Sequence, residues 1–403
     1  MNVSRRRFLK SSTALGAAVT APAVLGAGDQ SKYRTALIGC GWWGGNVLQN
    51  AMEAGDITVV GLCDVDRRQL REKQKQVKET TGDRPGLYGD YRTLLDEEKP
   101  DIVICATPDH WHPLITIAAL EAGAHVWVEK PVGHTIREGR AMVQAARRND
   151  RKVQVGTHRR ASPHNKWAIQ FMKDGGLGDI GMVRIFVHAS RSGWNAKPDR
   201  DPPEELDWDM WCGPGPKRPF NPRIHPKGFR QFLGYANGTL GDWGIHWTDH
   251  ILWWSDEKYP HTVSSMGGRH IRDDNTTAPD TQTVQWEFDS FTAVWEHRHY
   301  GGNRTEKSRL GAYFYGEKGV MHIGWLDGAT FYPRSTKEKP VHKEPELHGE
   351  DYHNVPELWN DFVAAIEEDR RPVSDIEVGH LSTNLSLLGM LSLKLGRSIE
   401  WDG

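Results

Sequence analysis

Tyr33-Arg34-Thr35-Ala36-Leu37-Ile38-Gly39-Cys40-Gly41-Trp42-Trp43-Gly44 is the stretch that decides the fold. A short apolar run, Tyr33 to Ile38, leads straight into G-x-G-x-x-G, and a helix-like stretch, Asn46 to Ala54, follows. Each glycine has a separate task in this setting. Gly39 permits a tight turn, Gly41 lets the backbone approach a pyrophosphate, and Gly44 lets the helix pack closely on the strand. The phosphates then lie at the helix N-terminus, where unpaired N–H groups point outward. The glycines alone are a weak signal, and the residues around them strengthen it. Ile57 to Cys63 reads as a second strand, and Asp64 ends it twenty residues after Gly44. A carboxylate there accepts hydrogen bonds from an adenosine ribose and repels a 2′-phosphate, which favours NAD. Arg67 and Arg68 follow closely and leave NADP open.

Further along, the same alternation continues. Asp101 to Ala106 is a buried-type strand ending in Thr107-Pro108-Asp109-His110-Trp111-His112. Helix Leu114–Ala122, strand His125–Val128, Glu129-Lys130-Pro131, helix Ile136–Asn149 and strand Val153–Gly156 come next. Strands separated by helical runs imply a doubly wound parallel sheet over residues 31–156. From residue 157 the pattern changes. A helix, His164–Lys173, and a strand, Met182–His188, precede a Pro-, Gly- and Trp-rich stretch from Arg191 to Asn237 that reads as a long binding loop. Strand-like runs at 261–266, 281–288, 292–299, 311–315, 320–323 and 330–332 alternate apolar and polar residues, as an antiparallel-rich sheet with one covered face requires. Helices Val355–Glu368 and Ile376–Leu395 close residues 157–403, an α+β domain whose last helix is expected to pack back on the first.

Residues 1–30 read as an address. Ser4-Arg5-Arg6-Arg7-Phe8-Leu9-Lys10 fits the twin-arginine export pattern at every constrained position. The following Ser11–Gly26 is too short and too rich in Ala, Gly and Thr for a membrane span. Cleavage near Ala27 would remove four basic residues and no acid, taking the formal charge from −2 to −6. Neither value points to nucleic acid as a partner. Cys40, Cys63, Cys105 and Cys212 have no metal-ligand spacing, and nothing in their placement supports a disulfide. His110 and His112 look like a metal pair but lack a third ligand, so loop packing is the better reading and no metal is expected. Tryptophan is abundant, with seven of 17 between Trp194 and Trp254. Aromatic faces stack on sugar C–H surfaces, although most Trp residues are core anchors.

Together, Gly39-x-Gly41-x-x-Gly44, Asp64, Thr107-Pro108-x-x-x-His112, Glu129-Lys130-Pro131 and Gly238-Thr239-Leu240-Gly241-Asp242-Trp243-Gly244-Ile245-His246-Trp247-Thr248-Asp249 resemble the glucose–fructose oxidoreductase / inositol dehydrogenase / MocA family. The resemblance runs from about residue 33 to 401. It implies a Rossmann domain, a second domain with an open sheet often used for oligomerisation, and NAD(P)-dependent chemistry on a sugar or polyol. It implies that Lys130 sits between nicotinamide ribose and substrate hydroxyl, and that Asp242 and His246 act on the substrate side with His246 as general base. Trp42, Trp43, Thr107, Pro108, His112 and Glu129 join the glycines, Asp64 and Lys130 as cofactor residues. His158 and Arg159 are substrate contacts by the same resemblance, and Lys130-Pro131 is a candidate cis peptide. An i,i+4 spacing on a predicted helix would turn Asp242 and His246 the same way. Asp249 is expected to be structural.

Three functions fit these residues. One is a sugar oxidoreductase with a tightly held nucleotide, and another is an NAD-dependent glycosidase that oxidises its substrate transiently. The last is a non-catalytic binding protein. The glycosidase branch of the resembled family commonly departs from Glu-Lys-Pro at the lysine. Retention of Lys130, Asp242 and His246 therefore favours the oxidoreductase.

Overall fold

β1 (Tyr33–Ile38) is buried at four consecutive positions, Thr35 to Ile38, because neighbours cover both of its faces there, as in a central parallel strand. The computed structural model describes residues 33–189, 195–302 and 308–403. Its first sheet is built from β1, β2 (Ile57–Cys63), β3 (Gly86–Tyr88), β4 (Ile102–Cys105), β5 (His125–Val128) and β6 (Val153–Val155). These run parallel in the order β3-β2-β1-β4-β5-β6. Strand order reverses between β1 and β4, and a crevice opens there beyond the strand ends, where such sheets take ligands. The connecting helices are α1 (Trp42–Ala54), α2 (Arg67–Thr80), α3 (Tyr91–Glu98), α4 (His112–Glu121) and α5 (Ile136–Arg148). Thr135 and Glu138 form a capping box at the start of α5. α1 starts at Trp42, four residues ahead of the expected Asn46, so both tryptophans belong to its first turn.

The second sheet has nine strands. β7 (Ile180–His188) pairs parallel with β10 (Thr292–Arg298), and every other neighbour is antiparallel. The remaining strands are β8 (Thr262–Gly268), β9 (Thr281–Glu287), β11 (Leu310–Gly316), β12 (Gly319–Gly324), β13 (Ala329–Pro333), β14 (Val341–Lys343) and β15 (Ile399–Glu400). Between β6 and β8 lie α6 (Pro163–Lys173), α7 (Trp208–Cys212) and α8 (Ile245–Ser255), and α9 (Val355–Glu367) and α10 (Ile376–Leu395) close the chain. α6, α8 and α10 cover one face over a core that includes Trp247, Trp286 and Trp295. On the opposite face Met182, Tyr315 and Tyr332 are exposed and nearly in register across β7, β11 and β13. α9 and α10 also reach the first sheet: Trp359 lies 5.7 Å from Trp127, and Ile376 enters the core beside α5.

The stretch expected to be one long loop is more ordered than its composition suggests. Residues 195–237 contain α7, a 3₁₀ turn at Phe229–Gln231 and a core of their own built on Leu206, Trp208, Trp211, Phe220, Phe232 and Tyr235. Residues 190–194, including Trp194, lie outside the described residues. Aromatic stacking replaces the sheet or helix pairing that a pattern search detects: Trp208 and Trp211 are stacked at 4.6 Å. Among the described residues no helix is long and apolar enough to cross a membrane.

Candidate active site

Gly39 and Gly41 form the floor of one end, and Gly44 packs behind them. Gly39 has φ +96°, and a Cβ there would meet Ala106 O at 2.6 Å. A Cβ on Gly44 would come to 2.1 Å from Gly39 O, so Gly44 serves helix packing and does not line the cavity. At Gly41, by contrast, a Cβ would meet nothing within 4 Å. Gly41 caps α1 without any side-chain hydrogen bond, so the first-turn N–H groups lack an internal acceptor. The arrangement suits a pyrophosphate.

A cavity of about 790 Å³ extends from this floor across the carboxyl ends of the first sheet. Gly39, Gly41, Trp42, Trp43, Asp64, Thr107, Pro108, Glu129, Lys130, Asp242, His158 and His246 all line it. Asp64 accepts hydrogen bonds from the backbone N–H of Cys40 (2.7 Å) and Asp66 (2.8 Å), which ties β2 to the glycine turn. Burial raises its carboxyl to about 6 against the pull of those amides. Arg68 grips both oxygens of Asp66 and is thereby turned to a protein carboxylate. His112 stays behind the wall, its ring nitrogens 2.8 Å from the carbonyls of Thr107 and Pro131. His110 likewise meets the carbonyls of Trp211 and Tyr235.

Residues 205–230 roof the cavity and are clasped to the end of β2. Asp207 N donates to Val65 O (2.9 Å), Arg67 N donates to Glu205 O (3.0 Å), and His225 Nε2 lies 3.3 Å from Asp66. Met210, Trp211, His225, Lys227, Phe229 and Arg230 of this roof face the cavity.

At the other end the charged groups converge. The Lys130–Pro131 peptide is cis, as the resemblance implies. Lys130 Nζ donates to Asp242 O at 2.7 Å and to Asp242 Oδ1 at 2.9 Å. Arg230 Nε donates to the same Oδ1 at 3.0 Å. Asp242 and His246 do not share a regular helix, which corrects the i,i+4 expectation. Asp242 sits in a π turn, Leu240–Gly244, that runs into α8, and His246 belongs to α8. Such turns widen the helix and are frequent at functional sites. The His246 ring is packed against Trp325 (4.9 Å), His158 (5.5 Å) and Trp243 (6.1 Å), and its buried Nδ1 has no partner among the described residues. Burial, then the charges of Lys130 and Arg159, hold its pKa well below the usual histidine range. Across the cavity, burial pushes the Asp109 carboxyl up to about 7 despite the nearby Arg230.

His158 joins the wall, but Arg159 does not. Its guanidinium lies 3.7 Å from the Trp325 ring centroid, behind the wall, and donates to Tyr352 O at 2.9 Å. Asp249 is structural as expected, held by Arg160 and by Ser382. Of the six clustered tryptophans among the described residues, Trp211 and Trp243 reach the cavity, Trp208 and Trp247 are core, and Trp253 and Trp254 pack on the core of the second sheet. Sequence reading missed Arg230, Trp325 and Asp351. Trp325 stands just beyond β12, a strand-end position that could have marked it. Asp351 accepts from Asn46 Nδ2 at 2.6 Å, three hundred residues away in the chain, and carries no local signal.

A parallel dinucleotide-type sheet, a second mostly antiparallel sheet and a charged cleft between them define a two-sheet oxidoreductase. Residues 33–157 match the model for an oxidoreductase family, NAD-binding Rossmann fold, and residues 186–403 match that family's C-terminal alpha/beta domain. The chain belongs to the Gfo/Idh/MocA oxidoreductase family. Residues 2–22 match a twin-arginine translocation signal, which directs export from the cytoplasm. The chain is 31% identical over 142 residues to a glycosyl hydrolase family 109 protein of Stenotrophomonas maltophilia (strain K279a), a match covering 34% of this chain and 31% of that protein. It is 33% identical over 119 residues to the levoglucosan dehydrogenase of Pseudarthrobacter phenanthrenivorans, covering 30% and 29%. These matches span about a third of the relatives' length. The crystal structure of an aldose-aldose oxidoreductase from Caulobacter crescentus complexed with glycerol superposes with a TM-score of 0.70 at 20% identity, over 92% of this chain and 100% of that one.

Proposed function

We propose that this chain is an exported dehydrogenase that moves hydride between a tightly held NAD and a hydroxyl-bearing carbon of a sugar or cyclic polyol. The observation that carries the proposal is the convergence of Lys130, Asp242 and His246 at one end of a cavity whose other end is a glycine cradle. Bound NAD supplies the hydride acceptor. Residues 31–156 serve as its domain and residues 157–403 bring the substrate groups. Gly39, Gly41 and the first turn of α1 with Trp42 and Trp43 hold the pyrophosphate, Asp64 receives the adenosine ribose, and Thr107, Pro108, Glu129 and Lys130 border the nicotinamide half. The engagement of Arg68 by Asp66 leaves it poorly placed for a 2′-phosphate and favours NAD over NADP.

In this reading His246 accepts the hydroxyl proton through Nε2 as the substrate's C–H bond breaks and its C=O bond forms. Its depressed pKa keeps it neutral and ready to accept at neutral pH. Lys130 stabilises the negative charge that builds on the substrate oxygen. Asp242 fixes Lys130 beside the substrate hydroxyl, while Trp243 and Trp325 supply faces for sugar C–H surfaces. His158 completes the wall.

The clasped roof over residues 205–230 supports retention of the nucleotide through export, since free NAD is not expected to be replenished outside the cytoplasm. The exposed row of Met182, Tyr315 and Tyr332 on the open sheet supports self-association through that face. Anaerobic addition of sugars to the nucleotide-loaded protein tests the main reading. Absorbance at 340 nm should rise by one equivalent per site while the sugar becomes a ketone or lactone. Cleavage of glycosides without net change in absorbance would replace this reading with a hydrolytic one.

A further inference from the structure

Arg230 is a cation at the reacting end whose hydrogen-bonding capacity is only partly used. It stands on the Phe229–Gln231 turn of the roof, its Cζ 4.5 Å from the Phe229 ring centroid, and about a third of its side chain is exposed into the cavity. Nε is spent on Asp242, and neither Nη has a partner among the described residues. Asp242 does not depend on this contact for its placement, because Lys130 already holds both its carbonyl and Oδ1.

The charges around Arg230 sharpen the point. Lys130 and Arg230 bring two cations to this end, and Asp242 is a carboxylate that both address. Asp109 and Glu129 are further acids in the wall, and burial raises both carboxyls, which makes them poor counter-ions, while Asp351 accepts from Asn46. His158 and His246 are neutral. The guanidinium, about a third exposed in the cavity wall, keeps two Nη groups able to donate to a bound ligand. A neutral sugar offers it hydroxyls alone. A carboxylate offers two coplanar oxygens matched to a planar fork, in charge-assisted bonds roughly twice as strong as neutral ones.

From this geometry we infer that the substrate is an acidic sugar, its carboxylate held by the free Nη groups of Arg230 while its carbinol lies between Lys130 and His246. The inference rests on the function proposed above and adds the substrate's charge.

The test is calorimetric binding to nucleotide-loaded protein, wild type, Arg230→Ala and Arg230→Lys. The probes are glucuronate, galacturonate and mannuronate, each paired with glucose, galactose or mannose. At least one uronate should bind wild type about 30-fold or more tighter than its neutral counterpart. Arg230→Ala should bring that ratio to within about threefold, and Arg230→Lys should keep part of it. Equal affinity for acids and neutral sugars in wild type, no binding of any uronate, or a ratio that survives Arg230→Ala would overturn the inference. Tighter binding of galactose 6-sulfate than of galacturonate would overturn the carboxylate assignment. The wild-type comparison decides even where a variant fails to fold. Absorbance at 340 nm in the same samples separates the two claims. A uronate that binds through Arg230 without reducing the nucleotide leaves the carboxylate assignment to Arg230 standing and removes the dehydrogenase. Reduction by neutral sugars with no acid preference does the reverse.

Discussion

The two ends of the cavity are made of different material. The cofactor end is backbone: three glycines, an uncapped helix start and a strand-end carboxylate, all between residues 39 and 64. The reacting end is side chain: Lys130, His158, Arg230, Asp242, His246 and Trp325 come from five separate segments of the chain. The backbone site tolerates no added atoms at Gly39 or Gly44 but depends little on which residues surround it. A side-chain site depends on each residue's chemistry and on the fold that gathers them. Substitutions at the two ends should therefore fail differently.

The largest effect is expected at the reacting end. His246→Ala should slow single-turnover reduction of bound nucleotide by about 10²–10⁴-fold, the range for a lost general base. Nucleotide retention, read by mass spectrometry of the native protein, should be unchanged. Loss of the nucleotide in that variant would break the division between the ends. Gly44→Ala should do the opposite. Its Cβ would press on the Gly39 carbonyl, with neither backbone able to yield cheaply. A loss of about 1–3 kcal/mol in urea unfolding is expected, together with loss of bound nucleotide.

Asp64→Ala sharpens the comparison at the cofactor end, where one side chain does matter. Removing it should weaken NAD binding and narrow the preference over NADP by about tenfold, measured by fluorescence titration of stripped protein. Wild type that binds NADP as tightly as NAD would refute the role given to Asp64. The smallest effect is spread over both halves. Burial holds His110, His112, His250 and His297 down at about 4. In the unfolded chain each titrates near 6.5. The unfolded state therefore takes up these protons first on acidification, so this part of the stability is complete above pH 6.5 and drains away as pH falls toward 4. Thermal unfolding should move to lower temperature across that window, and a flat profile would contradict the burial of these rings.

The same contrast explains what the sequence discloses. Gly39-x-Gly41-x-x-Gly44 is legible because its parts interact within a dozen residues, and α10 is bounded by local signals, Asp375 at its start and a left-handed Gly396 at its end. β3 escapes because three residues show no periodicity. The roof reads as loop because its order comes from stacked Trp208 and Trp211, which leaves no repeat in the chain. Asp242 and His246 are visible by resemblance, yet the π turn between them is not, since spacing on a regular helix was the only available guide. Trp325 lies outside the tryptophan-rich stretch that drew attention to stacking, and Arg230 has meaning only once the roof has folded over Lys130.

The central claim is that Lys130 and His246, 116 positions apart, act as one unit on the substrate hydroxyl. A double-mutant cycle on the hydride step tests it: Lys130→Met, His246→Ala and the pair, each loaded with nucleotide and followed at 340 nm in single turnover. Residues that act together are non-additive, so the double variant should be little slower than the slower single variant. Rate losses that multiply across the cycle would mean that the two side chains work independently, and the site proposed here would fall.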